Sequence, residues 1–202
     1  MPRRQSQGAR VSQAVPRVEA QRKVYGRMIF VGIDPGLHGA VAWMDGERRE
    51  IHVRDCPLDG GDYDFRKMSD LLREFLEVEM VVTIEAVHAL PHDGRCSAFS
   101  FGVGYGAWMA LVGSVLRVRP NLVTPQTWKR TMLAGIANDK QAEARALNQR
   151  FHGHEICTQL HGPRGGLRDG RVDALLLAEY GRVTWKLGNR PACIHRHRED
   201  AV

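Results

Sequence analysis

Short apolar runs separated by turn residues dominate the first two thirds of the chain. Continuous apolar residues extend from Met28 to Ile33, and further runs cover 40–44, 50–53, 80–84 and 121–124. Runs of this length bounded by Gly, Pro or Asp are typical of strands. The pattern therefore predicts five strands, of which the first three follow one another closely enough to form an antiparallel meander.

Helical periodicity begins at Asp64, where apolar residues recur at three- and four-residue spacing as far as Leu76. Four later segments also predict helices: 97–116, one starting at Pro125, 139–151 and 169–187. A strand, a helix and a strand in that order imply a parallel crossover. Together, the pattern indicates an α/β domain with a mixed sheet flanked by helices.

The basic residues of the chain concentrate at its N-terminus. The formal net charge is +6, and residues 1–27 hold seven Arg or Lys against one acid, so the remaining residues sum to zero. We interpret 1–27 as a disordered basic tail, or as a targeting segment with a transit-peptide composition, which would imply a plastid. Residues 28–190 form the predicted domain, and 191–202 a polar C-terminal tail.

Cysteine usage indicates an intracellular, cytoplasmic protein. The four cysteines lie far apart without a CxxC pair, which is typical of reduced thiols. One His/Cys cluster matches no standard zinc finger, and we interpret it as a polar loop: His152, His154, Cys157 and His161. We find no run of 18 apolar residues and expect no membrane span.

Four acids occupy positions suited to a divalent-metal site. Asp34 and Glu85 each end an apolar strand, and Asp169 and Asp173 are four apart on a predicted helix, so they share a face. If that helix packs beside the two strand ends, four carboxylates meet. Two Mg²⁺ ions would offset their repulsion and support in-line phosphodiester hydrolysis.

Each acid also has an ordinary structural interpretation. Asp34 precedes Pro-Gly and suits a turn. Asp169 could be a helix N-cap. The structural interpretation is weaker for the other two acids. Glu85 directly follows a buried run, where an unpaired carboxylate is costly, and Asp173 borders the apolar face of its helix. Spacing alone leaves the structural and metal-binding interpretations open.

Several ordered blocks resemble the signature blocks of the RuvC-like Holliday junction resolvases. They are Gly32–Ala40, the strand that ends in Glu85, Phe101–Trp108, Val123–Arg130 and Asp169–Tyr180. The resemblance covers roughly residues 28 to 187 and is closest to the branch of the plant chloroplast resolvase and its phage homologues. It implies a ribonuclease-H-like fold with a mixed five-stranded sheet.

The resemblance also implies a homodimeric crossover junction endodeoxyribonuclease that nicks two symmetric strands of a four-way DNA junction. It would use two Mg²⁺ ions, which Mn²⁺ could replace, and no small-molecule cofactor. Asp34, Glu85, Asp169 and Asp173 match the family's catalytic and metal-binding acids. In the bacterial branch the last two acids are three residues apart, and here Gly170 stands at that place, so the role is carried to Asp169.

Five residues are candidates for DNA contact. Lys129, Arg130 and Lys140 fall in segments where relatives carry phosphate-contacting bases, although each also suits an exposed helix. Phe99 and Phe101 could stack on opened junction bases, with core packing as the alternative.

Three glycines in the 97–116 helix need a separate explanation. Gly102, Gly104 and Gly106 lack the later glycine or Lys of a nucleotide-binding loop. Because each glycine costs a helix interior about 1 kcal/mol, we expect them to permit close packing in a dimer interface.

Two other functions remain open from sequence. The Gly-Ile-Asp turn also suits nucleotide-binding phosphotransferases of the actin and sugar-kinase superfamily, although these need a second domain. A non-catalytic DNA-binding module on the same fold is the other alternative, against which the presence of all four acids argues.

Overall fold

The computed structural model describes residues 28–48, 50–76, 78–86, 94–137, 139–151 and 159–188. The predicted basic tail (1–27), the polar tail (191–202) and most of the His/Cys cluster lie outside these ranges, and those predictions stay open.

Five strands form the main sheet, as the apolar runs predicted. They are β1 (Ile29–Asp34), β2 (Ala40–Asp45), β3 (Ile51–Asp55), β6 (Met80–Glu85) and β7 (Asn121–Val123). The order across the sheet is β3-β2-β1-β6-β7. β1 pairs antiparallel with β2 and parallel with β6. β1 is therefore central, and the sheet is mixed, which confirms the predicted fold class.

Five α-helices surround this sheet in the described part of the chain. They are α1 (Phe65–Arg73), α2 (Arg95–Leu111), α3 (Pro125–Met132), α4 (Lys140–Arg150) and α5 (Asp169–Lys186). Asp64 caps α1 and Asp139 caps α4, each by accepting a bond from a backbone N–H at 2.9 Å. Pro125 opens α3, as predicted.

Alternating side chains of β1 divide the core into two halves. Phe30 packs in the layer that contains the apolar face of α5, whereas Val31 and Ile33 pack in the layer of α1 and α2. All three are fully buried. The two-residue period of the strand thus places helices on both faces of the sheet.

Two local predictions were incomplete. The 97–116 helix is α-helical only to Leu111, and Val112–Leu116 forms a π-helical turn that ends at Arg117 in a left-handed conformation. A short hairpin was also missed: β4 (Leu58–Asp59) pairs with β5 (Asp62–Tyr63) around two positive-φ glycines. The short strands of this hairpin carry no clear apolar periodicity, so the sequence pattern did not mark them.

One described segment, Ala98–Leu116, is long and apolar enough to span a membrane by length and composition alone. Only 22% of it is buried within the chain. A single helix of this kind is weak evidence for a membrane, since helices of soluble proteins pass the same test. The expected absence of a membrane partner stays a prediction.

β1 and α5 approach each other at backbone distance through a glycine. A Cβ added to Gly32 would lie 2.1 Å from the carbonyl oxygen of Ala174 and 2.3 Å from the nitrogen of Ala178. Neither backbone atom can rotate away. Gly32 therefore permits the last helix to lie directly on the central strand, which holds Asp34 and Asp173 in one region.

Replacing Gly32 should therefore destabilise the whole domain. We expect Gly32→Ala to lower the free energy of unfolding by at least about 3 kcal/mol, because the new methyl group overlaps backbone rather than a movable side chain. Urea denaturation followed by circular dichroism measures this change. The matched control is Gly113→Ala, where an added Cβ meets nothing within 4 Å. Equal stability of the two variants would contradict the close packing.

Candidate active site

Two of the predicted acids leave the sheet side by side. Asp34 is the last residue of β1 and Glu85 the last residue of β6. The two strands are parallel neighbours with Ile33 opposite Ile84, so both carboxylates lie at the same edge. Carboxyl ends of adjacent parallel strands are where open sheets bind ligands. Asp173, one turn into α5, completes the group from the neighbouring helix.

The electrostatics of Asp34 reflect the other two acids. Burial, together with the smaller effects of the charges of Asp173 and Glu85, raises the pKa of Asp34 to about 7. A hydrogen bond from the N–H of Gly36 to Oδ1, at 3.1 Å, and the charge of Lys140 act in the opposite direction. Asp34 thus titrates near neutral pH in the protein without a bound cation.

Glu85 is positioned by an indole from α3. Burial raises the pKa of Glu85, while a hydrogen bond from Nε1 of Trp128 to Oε1, at 2.9 Å, lowers it. The ammonium of Lys129 lies 5.2 Å from the Trp128 ring and also lowers the pKa of Glu85. Lys129 therefore faces the acids, whereas Arg130 on the same helix is exposed.

Lys140 lies inside the acid cluster rather than on an outer surface. Its ammonium contacts Oδ1 of Asp173 and lies 3.1 Å from Oε2 of Glu143. Burial lowers the pKa of Lys140, but the two carboxylates outweigh burial and hold that pKa above its usual value. Glu143 itself is 1% exposed. Lys140 is thus a partly buried cation that is held between an acid of the site and a buried acid of its own helix.

Asp169 differs from the other three acids. It is exposed at the first position of α5, and the N-cap is Arg168, so the N-cap interpretation of Asp169 was wrong. A Cβ added to the next residue, Gly170, would lie 2.3 Å from the carbonyl oxygen of His38 and 3.0 Å from Oδ2 of Asp34. In this chain a side chain at position 170 would overlap the backbone of the turn after β1, which agrees with a glycine there and an acid at 169. The metal role of Asp169 stays a prediction.

The donor atoms of the carboxylate set suit a hard divalent cation. Asp34, Glu85 and Asp173 supply oxygen ligands only, which Mg²⁺ prefers. Trp128 and Lys140 each hold one oxygen of Glu85 and Asp173, respectively. As the side chains stand, no group of three His, Cys, Asp or Glu residues within the described ranges closes on one metal position. Because the pKa of Asp34 is near neutral, a cation bound beside it would shift this carboxyl group towards its ionised form.

One of the two aromatic candidates lies next to the acids. The ring of Phe101 stacks near Tyr105, with centroids 6.5 Å apart, and would lie 4.0 Å from a Cβ at Gly36. Phe99, two residues earlier on α2, is 75% exposed. Phe101 is therefore partly engaged in packing, whereas the ring of Phe99 is open to solvent.

The three helix glycines have different surroundings. A Cβ at Gly104 would lie 2.2 Å from the hydroxyl of Tyr63, so its small size serves packing within the chain. The prediction that Gly104 is small to permit close packing in a dimer interface was therefore wrong. Gly102 and Gly106 are exposed and meet nothing within 4 Å, so for them the interface stays a prediction.

Sequence reasoning missed three supporting residues. Tyr63 donates from its hydroxyl to the carbonyl of Pro35 at 3.4 Å, beside Asp34. Trp128 and Glu143 hold Glu85 and Lys140. Only the three-residue spacing of Lys140 and Glu143 on one helix could have signalled such a pair. His152, His154 and Cys157 lie outside the described residues, and His161 pairs with Leu167 in a loop.

No protein-family model and no curated protein matches the sequence. Solved structures do match over most of the chain. Thermus thermophilus RuvC in complex with Holliday junction substrate is 14% identical, with a TM-score of 0.56, and covers 80% of this chain and 96% of its own. A second Thermus thermophilus RuvC structure is 17% identical, with a TM-score of 0.55, and covers 80% and 97%. At these identities the likeness establishes the fold: the domain has the ribonuclease-H-like architecture of RuvC.

The raised pKa of Asp34 has a measurable effect on stability. Between pH 3.8 and about pH 7 the folded protein keeps a proton that the unfolded chain has lost, so the contribution of Asp34 to stability falls as pH rises. Without divalent cations, we expect Asp34→Asn to be more stable than the wild type at pH 8 by up to about 4 kcal/mol. Near pH 4 the two proteins should be equally stable.

Urea denaturation in chelator at several pH values measures this difference, with exposed Asp59→Asn as the control. Added Mg²⁺ should reduce the advantage of Asp34→Asn, because a cation stabilises only the ionised wild-type site. An advantage that stays constant across pH would contradict the proposed burial effect.

Proposed function

We propose that this protein is a structure-specific endodeoxyribonuclease that cleaves four-way DNA junctions as a homodimer. The observation that carries the proposal is the grouping of Asp34, Glu85 and Asp173 at one sheet edge of a RuvC-like fold. A solved structure of that fold is a RuvC in complex with Holliday junction substrate. The ordered sequence blocks support the resemblance independently of the fold.

The acids of the site would hold two Mg²⁺ ions, or Mn²⁺ in their place, with Asp169 as the fourth proposed ligand. When bound, these ions would activate a water and stabilise the leaving oxygen of a phosphodiester. The chain's own residues prepare the site. Trp128 orients Glu85, Gly36 orients Asp34, and Lys140 supplies a cation that can move from Asp173 to a phosphate.

Positive and aromatic side chains around the acids would bind the DNA. Lys129 and Lys140 face the acids, and exposed Arg130 extends from the same helix as Lys129. Phe99 is largely exposed and can stack on an unpaired base, as aromatic residues do on opened strands.

The exposed face of α2 suits a second copy of the chain. Val103 is an exposed apolar residue on a helix whose neighbouring exposed positions are Gly102, Gly106 and Ala110. These small residues leave a shallow apolar surface that a protein partner can approach closely. A two-fold dimer would present two identical sites to the two equivalent strands of a junction.

Cleavage of synthetic DNA tests the activity. We expect Mg²⁺-dependent cutting of a four-way junction at two symmetric positions, with little cutting of linear duplex. Asp34→Asn should lower the cleavage rate by on the order of 10³-fold or more, because metal stabilisation of the transition state is worth several kcal/mol. Asp59→Asn should cut normally.

Other outcomes identify other functions. Equal cutting of junction and duplex would contradict junction specificity. Junction binding without cutting, under any divalent cation, would favour the non-catalytic binding module. Loss of both binding and cutting in Asp34→Asn would mean that the acid is structural.

The dimer is tested by placing a charge on the exposed face of α2. We expect the wild type to be a dimer by light scattering and Val103→Glu to be a monomer, because an unpaired carboxylate cannot be buried in an apolar interface. The control is Gln149→Glu on α4, which is exposed and lies on another helix. A wild-type monomer, or a dimeric Val103→Glu, would contradict the proposed interface.

A further inference from the structure

The loop before α5 is a built structure rather than an irregular connection. Within residues 161–168, here called the arginine loop, His161 pairs with Leu167 as an antiparallel bridge. The N–H of Gly162 donates to the carbonyl of Gly166 at 2.8 Å, and Gly165 takes a positive φ at the tip. The loop is therefore a small hairpin with a defined conformation.

Arg171 ties the base of this hairpin to the rest of the domain. Its guanidinium donates to the carbonyls of Gln159 and His161, each at 2.8 Å. It also makes two bonds to the carboxylate of Asp55 in β3, at 2.6 and 2.8 Å. One side chain of α5 thus connects the loop to the edge strand of the sheet, which fixes the loop's position.

The arginine loop presents two exposed cations and no acid. Arg164 and Arg168 are both exposed, and residues 159–168 include no Asp or Glu. The two arginines line an open cleft of about 640 Å³ with Gly162, Pro163, Gly166 and Leu167. A Cβ at Gly162 would lie 2.6 Å from Nε of Arg168, so the Arg168 side chain lies flat on the loop backbone.

The arginine loop leads into α5 close to Asp34. Arg168 immediately precedes α5, and two residues later Gly170 packs against Asp34, with an added Cβ 3.0 Å from Oδ2. The acids repel the phosphates of DNA. A strand that reaches the acids therefore needs cations that contact the phosphates on either side of the scissile phosphate. Lys129 and Lys140 lie among the acids, and the arginine loop lies at the start of α5.

We infer that the arginine loop binds the phosphodiester backbone of the DNA strand next to the cleaved phosphate, through Arg164 and Arg168. The planar guanidinium group donates two parallel hydrogen bonds to a phosphate and stays charged at all working pH values. The loop is anchored before DNA arrives, so little ordering opposes binding. This inference rests on the proposed function for the identity of its ligand as DNA.

Binding measured without cleavage tests the inference. Fluorescence anisotropy measures the Kd for a four-way junction and for a linear duplex over a series of salt concentrations. The Asp34→Asn variant is compared with a triple variant that also carries Arg164→Ala and Arg168→Ala. We expect the Kd to rise roughly 10- to 100-fold at moderate salt. The slope of log Kd against log salt for duplex should fall by about 2, one per lost phosphate contact.

The control removes one cation from the opposite end of the sheet and is compared with Arg164→Ala alone. Arg73 ends α1 on the side that leads to the start of β6, away from the acids. Arg73→Ala should change the Kd less than about twofold, apart from the small effect of net charge. An equal rise in Kd for this control would mean that the loop acts only through overall charge, and would overturn the inference.

A second variant separates binding from folding, because Arg168 packs on Gly162. Arg164→Glu changes only an exposed residue at the tip and should weaken DNA binding without lowering the melting temperature. If wild type cuts junctions and all loop variants bind and cut normally, the inference is wrong and the proposed function stands. If wild type does not cut junctions but the loop variants lose duplex binding, the proposed function is wrong, the loop still contacts a DNA backbone, and its place beside a cleaved phosphate is overturned.

Discussion

Close backbone packing between β1 and α5 brings the acids of the candidate site together. Gly32 places the central strand against the backbone of Ala174 and Ala178, at distances that no side chain could occupy. Gly181 of α5 packs closely against β6 in the same way, because a Cβ added there would lie 2.7 Å from the hydroxyl of Thr83. Two parallel strands and one helix are thereby held together, and each of these three elements carries one acid of the cluster.

This packing has an electrostatic consequence. Three carboxylates are brought together in a partly buried place, where their charges oppose one another and burial disfavours ionisation. The structure offsets this with Lys140, which is itself held by buried Glu143, and with a proton on Asp34 near neutral pH. A divalent cation bound here, as proposed, would replace the proton and compete with the lysine.

Much of the architecture could be predicted from the pattern of apolar residues. Strands 28–33, 40–44 and 80–84 and the 139–151 helix were found within one or two residues, because burial on both faces and capping by Asp139 leave clear local signals. The β4–β5 hairpin and the π-helical turn after Leu111 were missed. Tyr63 of the hairpin packs against Gly104, a contact between distant residues that no local pattern records.

Local patterns in the sequence predicted which acids end the strands and that Asp173 shares a helix face with Asp169, because strand period and helix spacing are local properties. Which acids meet follows from the packing of the folded domain. In the folded domain Asp34, Glu85 and Asp173 lie near Lys140, and Asp169 is exposed. Backbone atoms of His38 and Gly39 occupy the space that a side chain at position 170 would need. The reason is physical. Convergence depends on how closely α5 can lie on β1, and that distance is decided by steric contacts between residues more than a hundred positions apart.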